Sequence, residues 1–238
     1  STTTTAIGNS GIVINNNNIY DYFRPTLASS GVVTSGGCNN WTVTNNRFYQ
    51  TGTRTWTSGT FYNKAIELTP STSTSGMQGA VVTGNIIGYS SNTQTGTYTL
   101  TGSTGKFMGI HITAITGGTL NDISNNTIAS VSLTGVTSSG TGTSSPFIGI
   151  LASSGVINTN NNTIGSQSAT GSLTYSTTTT TTTDVIGIYN FSSNIGNANN
   201  NNIGGISVTN AGVSGTFIVY GIRINTGTTV AFTATSNN

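Results

Sequence analysis

The side chains that could carry out acid–base chemistry are few in this 238-residue chain. The acids are Asp21, Glu67, Asp122 and Asp184, and the one histidine is His111. When the repeats of the chain are aligned, Glu67 and His111 fall at equivalent positions of neighbouring strands, about 5 Å apart. We interpret them as a surface column of a sheet rather than as an acid–base pair. Glycoside hydrolysis fits poorly, because it needs two carboxylates that face each other across about 5–9 Å.

Patterns for metal binding and for nucleophilic catalysis are missing from the sequence. It contains no Cys/His cluster, no EF-hand loop and no Gly-x-Ser-x-Gly elbow. Asp122 among Asn carbonyls could hold one structural Ca²⁺, which stays an alternative. The single cysteine, Cys38, excludes an intrachain disulfide and is expected to pack as a small hydrophobic side chain. The sequence therefore predicts no catalytic residue, no metal and no cofactor, and we expect a protein that is not an enzyme.

Aromatic and arginine side chains crowd the second repeat, where rings that stack on sugars and donors that bind hydroxyls would make a glycan site. The candidate glycan contacts are Trp41, Arg47, Tyr49, Arg54, Trp56 and Tyr62. The same rings could instead fill the core or cover a sheet edge. Both interpretations stay open at the level of sequence.

Threonines alternate along two segments, at 51–57 and 93–101. Ice-binding solenoids present flat arrays of outward threonines, so these segments suggest ice binding as a further alternative. Such arrays need threonine at one fixed position of nearly every repeat. Here the threonine runs fall in a segment whose length varies between repeats, which makes ice binding the less favoured function.

Six Asn-rich segments, each followed by an aliphatic or aromatic residue, divide the chain into repeats. One asparagine of each segment occupies an equivalent position, at steps of 29 to 41 residues: Asn17, Asn46, Asn85, Asn126, Asn162 and Asn201. Asparagine tolerates the left-handed backbone of a sharp bend, and stacked asparagines can form an amide ladder. We therefore predict a structural Asn ladder, and the recurrence indicates a repeat architecture.

A strand with a Gly-Ile pair precedes most Asn segments. Its isoleucines are expected to face the core and to stack in one column: Ile66, Ile110, Ile150, Ile188 and Ile222. Its glycines are expected where the backbone is crowded or kinked. A second strand leads into each Asn segment, and a third, more variable strand follows it. Three short strands per repeat predict an all-β fold, a right-handed parallel β-helix of about six turns and three sheets.

Charged residues make up only 4% of the chain, with six Lys and Arg against four Asp and Glu. Isolated charges cannot form the basic stripe that nucleic acids need or the polybasic cluster that binds anionic lipid. No apolar run is long enough to span a bilayer. We therefore predict no nucleic-acid partner and no membrane insertion. Hydrophobic residues, at 33% and at recurring positions, argue against disorder.

A resemblance to a known class of proteins rests on segments 147–150 (FIGI) and 156–165 (VINTNNNTIG). They resemble the Asn/Thr/Ser/Gly-rich repeat regions of large secreted surface proteins of the Bacteroidota type, which adopt a right-handed parallel β-helix of the pectate-lyase type. The resemblance covers nearly the whole chain and rests on composition and repeat pattern, not on a diagnostic motif. It implies export and a role as stalk, adhesin or filament, and it carries over no catalytic residues.

These observations predict one β-solenoid segment over residues 1–238, which we expect to be part of a longer protein or stack. We expect a structural or adhesive element of an exported surface protein or extracellular filament, located outside the cell or on its surface. Its expected partners are further β-helix turns or copies of itself joined end to end, with glycans as an alternative. A carbohydrate-binding or carbohydrate-active β-helix is the rival function.

Overall fold

The computed structural model describes residues 9–34, 38–69, 77–102, 104–192, 196–212, 214–225, 232–233 and 237. These residues form an all-β fold in which paired strands run parallel to one another. A single 3₁₀ turn, Gly142–Ser144, is the one helical element in those ranges. The prediction of an all-β fold with repeated parallel strands is confirmed.

Four sheets hold most of the strands, and the chain visits them in the same order in successive repeats. We number the repeats by their equivalent asparagines, from Asn17 in the first to Asn201 in the sixth. Sheet 1 precedes these asparagines and contains β1 (Val13–Asn15), β4 (Thr42–Thr44), β8 (Val81–Thr83), β12 (Asn121–Ser124) and β16 (Ile157–Asn160). Sheet 2 follows them and contains β2 (Asn18–Tyr20), β5 (Arg47–Tyr49), β9 (Ile86–Gly88), β13 (Thr127–Ala129), β17 (Thr163–Gly165) and β21 (Asn202–Gly204).

The other two large sheets complete each repeat. Sheet 3 contains β6 (Arg54–Thr55), β10 (Tyr98–Thr101), β14 (Val131–Val136), β18 (Leu173–Thr177) and β22 (Ile206–Asn210). Sheet 4 has the longest strands, β3 (Ser29–Thr34), β7 (Tyr62–Leu68), β11 (Lys106–Thr113), β15 (Phe147–Ser153), β19 (Thr183–Phe191) and β23 (Phe217–Ile224). A small fifth sheet pairs β20 (Gly196–Asn197) with β24 (Phe232–Thr233).

The prediction of three sheets is wrong, because each Asn-rich segment separates two strands instead of ending one. In the fifth repeat β16 ends at Asn160 and β17 begins at Thr163. Asn161 lies between them with a φ of 56°, the left-handed conformation that turns the chain sharply. The hydrophobic residue after each Asn segment therefore belongs to a sheet of its own, sheet 2.

The main hydrophobic core is built from side chains of all four large sheets, and a second, smaller cluster on sheet 4 contains Met108, Ile148, Leu151, Ile186 and Tyr189. In sheet 4 a column of isoleucines is paired in register, and four of its members, Ile66, Ile110, Ile150 and Ile188, are 0% exposed. Ile222 pairs with Ile188 and is partly buried against the same core. Like side chains in one column meet the same neighbours in every repeat, so burial continues along the stack.

The glycines before Ile110, Ile150 and Ile188 lie where neighbouring backbones crowd one another. A Cβ atom on Gly149 would lie 2.5 Å from the carbonyl oxygen of Gly187. One on Gly187 would lie 2.6 Å from the carbonyl oxygen of Gly221. The crowded position expected for these glycines is confirmed at Gly149 and Gly187. A Cβ atom on Gly221 would meet nothing nearer than 4.0 Å, and Ala65 takes the equivalent position in the second repeat.

Candidate functional site

The most extensive side-chain arrangement is a column of asparagines along the bend between sheets 1 and 2. The backbone amide and the Nδ2 atom of each asparagine donate to the Oδ1 atom of the asparagine one repeat later. For Asn85 and Asn126 both donor–acceptor distances are 3.0 Å. This Asn ladder contains Asn17, Asn46, Asn85, Asn126, Asn162, Asn201 and Asn237.

From Asn46 onwards, each ladder amide also donates to the preceding repeat. The Nδ2 atom of Asn126 lies 2.8 Å from the carbonyl oxygen of Val82, and that of Asn162 lies 2.9 Å from the carbonyl oxygen of Ile123. One side chain therefore connects three successive repeats. The members from Asn46 to Asn201 are at most 1% exposed, so water does not compete for these hydrogen bonds.

A second asparagine, directly before the ladder position, shapes the bend. This bend position has a φ of 56° to 58° in five repeats, at Asn16, Asn45, Asn125, Asn161 and Asn200. Gly84 takes the same place before Asn85, with a φ of 67°. The bend and the ladder are thus tasks of two different residues, whereas sequence reasoning assigned both to one. Gly84 is the signal that could have revealed this, because glycine can replace asparagine only where the backbone matters.

The candidate acid–base pair lies on sheet 4, where the strand register pairs Glu67 with His111. Lys64 lies between them: its Nζ atom forms an ion pair with Glu67 and is 3.4 Å from the Nδ1 atom of His111. The Ser30 hydroxyl donates to the second carboxylate oxygen of Glu67 at 2.6 Å. The carboxylate of Glu67 is therefore occupied by the Lys64 ammonium and the Ser30 and Thr69 hydroxyls.

The protonation of this pair follows from its surroundings. Burial and, to a smaller extent, the Lys64 cation lower the pKa of His111 to about 4, against the opposing effect of the Glu67 anion. Burial would raise the pKa of Glu67, but hydrogen bonds from Lys64 and Ser30 outweigh it and hold this pKa below its ordinary value. At neutral pH Glu67 is an anion and His111 a neutral imidazole. These states do not favour an acid–base pair. The column is not a surface column throughout, because its next members, Leu151 and Tyr189, are each 2% exposed.

Three of the six candidate glycan contacts lie at separate places in the fold. Trp56 is 3% exposed and belongs to the hydrophobic core, so its ring faces contact protein. Tyr62 lies on sheet 4, where its hydroxyl donates to the carbonyl oxygen of Ser145 at 2.7 Å. Trp41 is partly buried and donates from Nε1 to the carbonyl oxygen of Asn9 at 2.9 Å. The structure does not bring these three side chains together.

The other three candidates lie on two strands of the second repeat, Arg47 and Tyr49 on β5 and Arg54 on β6. Arg54 forms an ion pair with Asp21, and the Tyr49 ring stacks on Tyr20 with ring centroids 5.1 Å apart. Tyr20 is 54% exposed, so this stack reaches the surface. Arg47 is partly buried, and its buried nitrogen has no hydrogen-bond partner among the described residues. Glycan binding at this end of the chain stays a prediction.

Hydroxyl side chains form two columns on the outer face of sheet 3. The register places Thr99, Ser132, Thr174 and Ser207 in one column. A second column runs through Thr55, Thr101 and Thr134. The segment varies in length between repeats, but the strands stay in register along both columns, up to a shift between Leu133 and Val136 where β14 meets β18. Fixed hydroxyl positions therefore exist despite the variable length, which sequence reasoning took as evidence against them.

A buried polar network lies inside the core between the second and third repeats. Tyr98, Gln50 and Asn63 are each 0% exposed. Gln50 donates to the Tyr98 hydroxyl at 3.2 Å, and that hydroxyl donates to the side-chain oxygen of Asn63. Arg54 donates from Nε to Gln50 at 3.0 Å, so the network reaches the surface ion pair. Sequence reasoning missed these residues, because they come from separate strands and no periodic pattern marks them.

Metal binding finds little support in the geometry. In the ranges that the structure describes, no group of three or more His, Cys, Asp or Glu side chains could hold a metal ion. Asp122 accepts a hydrogen bond from the Ser124 hydroxyl at 2.9 Å, and Cys38 is buried at 4% exposure. The same ranges hold no helix with the length and apolar character of a membrane span.

Comparison with known proteins found no relative of this chain. No protein-family model matches the chain, and no curated protein or solved structure matches it either. Function therefore has to be argued from the repeat, the Asn ladder and the surfaces described above.

Proposed function

We propose that this chain is a structural segment of a right-handed parallel β-helix in an exported surface protein or extracellular filament. The Asn ladder is the observation that carries the proposal. The same hydrogen bonds recur from Asn17 to Asn237, so each repeat uses a buried amide to hold the next one in register. Uniform stacking on nearest neighbours is the property of solenoids, which extend along one axis.

The sheet order supports the closed, right-handed form of this coil. Strands follow one another through sheets 1, 2, 3 and 4 before the chain returns to sheet 1. Connections between parallel strands are right-handed in about 98% of cases, which supports the handedness. Six turns at about 4.8 Å each would form a rod about 25–30 Å long. Such a rod would serve as a spacer, a stalk or a unit of a filament.

The charged side chains support the same role, because they tie parts of the stack together. Asp184 is 2% exposed, forms an ion pair with Arg223 of the next repeat, and accepts a hydrogen bond from the Gly142 amide at 2.9 Å. Asp21 of the first repeat pairs with Arg54 of the second. Export is proposed from the resemblance of the Asn/Thr/Ser/Gly-rich repeat to secreted surface proteins.

Electron cryo-microscopy of the protein isolated from its source tests this function. We expect rods or filaments whose axial spacing is about 4.8 Å, as stacked parallel strands require. Compact particles without a rod would contradict the proposal. Surface labelling of intact cells with an antibody against the chain tests export independently, and staining that appears only after permeabilisation would contradict it.

Ice binding is a second candidate, favoured by the two hydroxyl columns of sheet 3. Neighbouring columns stand about 6.6–6.8 Å apart along a strand, and neighbouring members of a column about 4.8 Å apart. Thr174 lies within one of these columns. Thermal hysteresis of the purified chain should then be measurable, and Thr174→Lys should abolish it while Thr44→Lys, on sheet 1, should not. A wild-type chain without thermal hysteresis would remove this candidate.

A further inference from the structure

We propose that an open groove along the bend between sheets 2 and 3 binds an uncharged glycan. The groove encloses about 460 Å³ and extends from Tyr89 in the third repeat, past Thr127 in the fourth, to Thr163 in the fifth. Ligand sites usually enclose about 300–1,000 Å³, so its size suits a short stretch of a polymer. The aromatic patch of Tyr20 and Tyr49 belongs to the first and second repeats, and neither of these residues lines the groove.

Hydroxyl and amide groups line the groove. Thr127 and Thr163 are paired in register on β13 and β17, and Gln167 and Thr170 lie on the segment between β17 and β18. In the part of the chain that the structure describes, the side chains of these four residues make no hydrogen bond to other residues. Polar groups that line a groove without protein partners are available to a ligand.

Tyr89 places an aromatic ring at one end of the groove. Its φ is 63°, a conformation that bulky residues rarely adopt. Its backbone amide donates to the carbonyl oxygen of Ser130 at 3.1 Å, and Ser130 holds the same position in the next repeat with a φ of 53°. A small polar residue satisfies this bend in the next repeat, whereas the third repeat carries a strained tyrosine. Strained conformations of this kind cluster at functional sites.

The chemistry of the lining selects the class of ligand. None of the described side chains that line the groove carries a charge, so phosphate or uronate groups would find no cation to pair with. The groove lies along a bend between two sheets rather than at a strand edge, where a peptide would add through its main chain. A neutral pyranose polymer fits the remaining features: the Tyr89 ring can stack on a sugar face, and the threonine, serine and glutamine side chains can bind sugar hydroxyls. Successive rungs are about 4.8 Å apart, which is comparable to one sugar ring.

The test begins with an array of neutral oligosaccharides (glucans, mannans, galactans and xylans), with uronic-acid oligosaccharides as the charged comparison. The best neutral oligosaccharide is then titrated into the wild-type chain by isothermal calorimetry. Tyr89→Gly should lower its affinity by at least about tenfold. This variant should still fold, because glycine adopts positive φ without strain. Thr163→Val together with Gln167→Leu keeps the shape and removes the polar groups, and should lower affinity by about tenfold.

Tyr20→Ala is the matched control, because Tyr20 is an exposed tyrosine on β2 of the same sheet, outside the groove. It should leave the affinity unchanged. The inference is overturned if no neutral oligosaccharide binds at about 1 mM, if uronic-acid oligosaccharides are preferred, or if binding survives Tyr89→Gly and is lost in Tyr20→Ala. These outcomes do not depend on rods or filaments, so the groove and the structural role can fail separately.

Discussion

The Oδ1 atom of Asn162 accepts two hydrogen bonds from Asn126, one from the backbone amide at 3.0 Å and one from Nδ2 at 3.1 Å. Both donors belong to one residue, so the contact orients the backbone of the bend and its side chain together. Both residues are 1% exposed. A buried amide that lost this acceptor would have no water to replace it, which makes the ladder sensitive to single substitutions.

Asn126→Ala should destabilise the chain by about 2–5 kcal/mol. The substitution removes the acceptor of two Asn85 donors and the donor to the Val82 carbonyl oxygen, all of them buried. Urea unfolding followed by circular dichroism measures the change. Asn92→Ala is the control, since Asn92 is exposed in a loop and should change stability by less than about 0.5 kcal/mol. Equal effects of the two substitutions would show that the ladder adds nothing to stability.

The bend position next to the ladder should respond to backbone geometry rather than to side-chain chemistry. Asn125 is exposed and has a φ of 57°. Asn125→Gly should leave the free energy of unfolding nearly unchanged, as the natural Gly84 suggests. Asn125→Val should lower it by about 1–2 kcal/mol, because a β-branched residue is strained in the left-handed region. Denaturant midpoints of the two variants decide the matter, and a valine variant as stable as the glycine variant would refute the assignment.

Tyr98→Phe should lower the free energy of unfolding by about 1–3 kcal/mol, because it leaves the Asn63 oxygen and the Gln50 amide without their buried partner. Calorimetric unfolding measures this change. Tyr20→Phe removes the same atom from an exposed ring and should have no measurable effect. If both variants melt at the wild-type temperature, the interior network contributes nothing to stability.

Acid should destabilise the fold through His111. Its pKa is about 4 in the folded chain, against an ordinary value of 6.5. Between these values the unfolded chain binds a proton that the folded chain does not, so the free energy of unfolding falls as the pH falls from 6.5 towards 4. Burial would raise the pKa values of Glu67 and Asp21, but hydrogen bonds hold both below their ordinary values. The stability that these two carboxylates contribute is therefore lost at still lower pH, where they become protonated in the folded chain.

His111→Gln separates these contributions. The variant should lose the decline that begins near the ordinary pKa of histidine and keep the decline that the carboxyls cause at lower pH. Guanidinium unfolding at intervals from about pH 7.5 to about pH 3 provides the comparison. An unchanged slope in the variant would mean that His111 titrates alike in the folded and unfolded chains.

Local pattern was enough to predict much of the architecture. The recurring Asn segments and the Gly-Ile strands lie at positions that every repeat must satisfy, so periodicity alone indicates parallel stacking. The pairing of Ile66 with Ile110, and of Glu67 with His111, follows from that alignment. The split between bend and ladder asparagines was not predicted, although Gly84 carried the signal.

Tertiary structure decided the features that depend on contacts between distant segments. Whether an aromatic ring contacts core or solvent depends on what packs over it, so sequence could not separate the buried Trp56 from the exposed Tyr20. The network of Tyr98 joins residues from different repeats, and the groove beside Tyr89 is formed by a bend in one repeat and a loop in another. The amino-acid pattern predicts the repeat because every repeat has the same local geometry. The pattern does not predict the Tyr98 network or the groove, because each occurs once and forms only when the repeats have stacked.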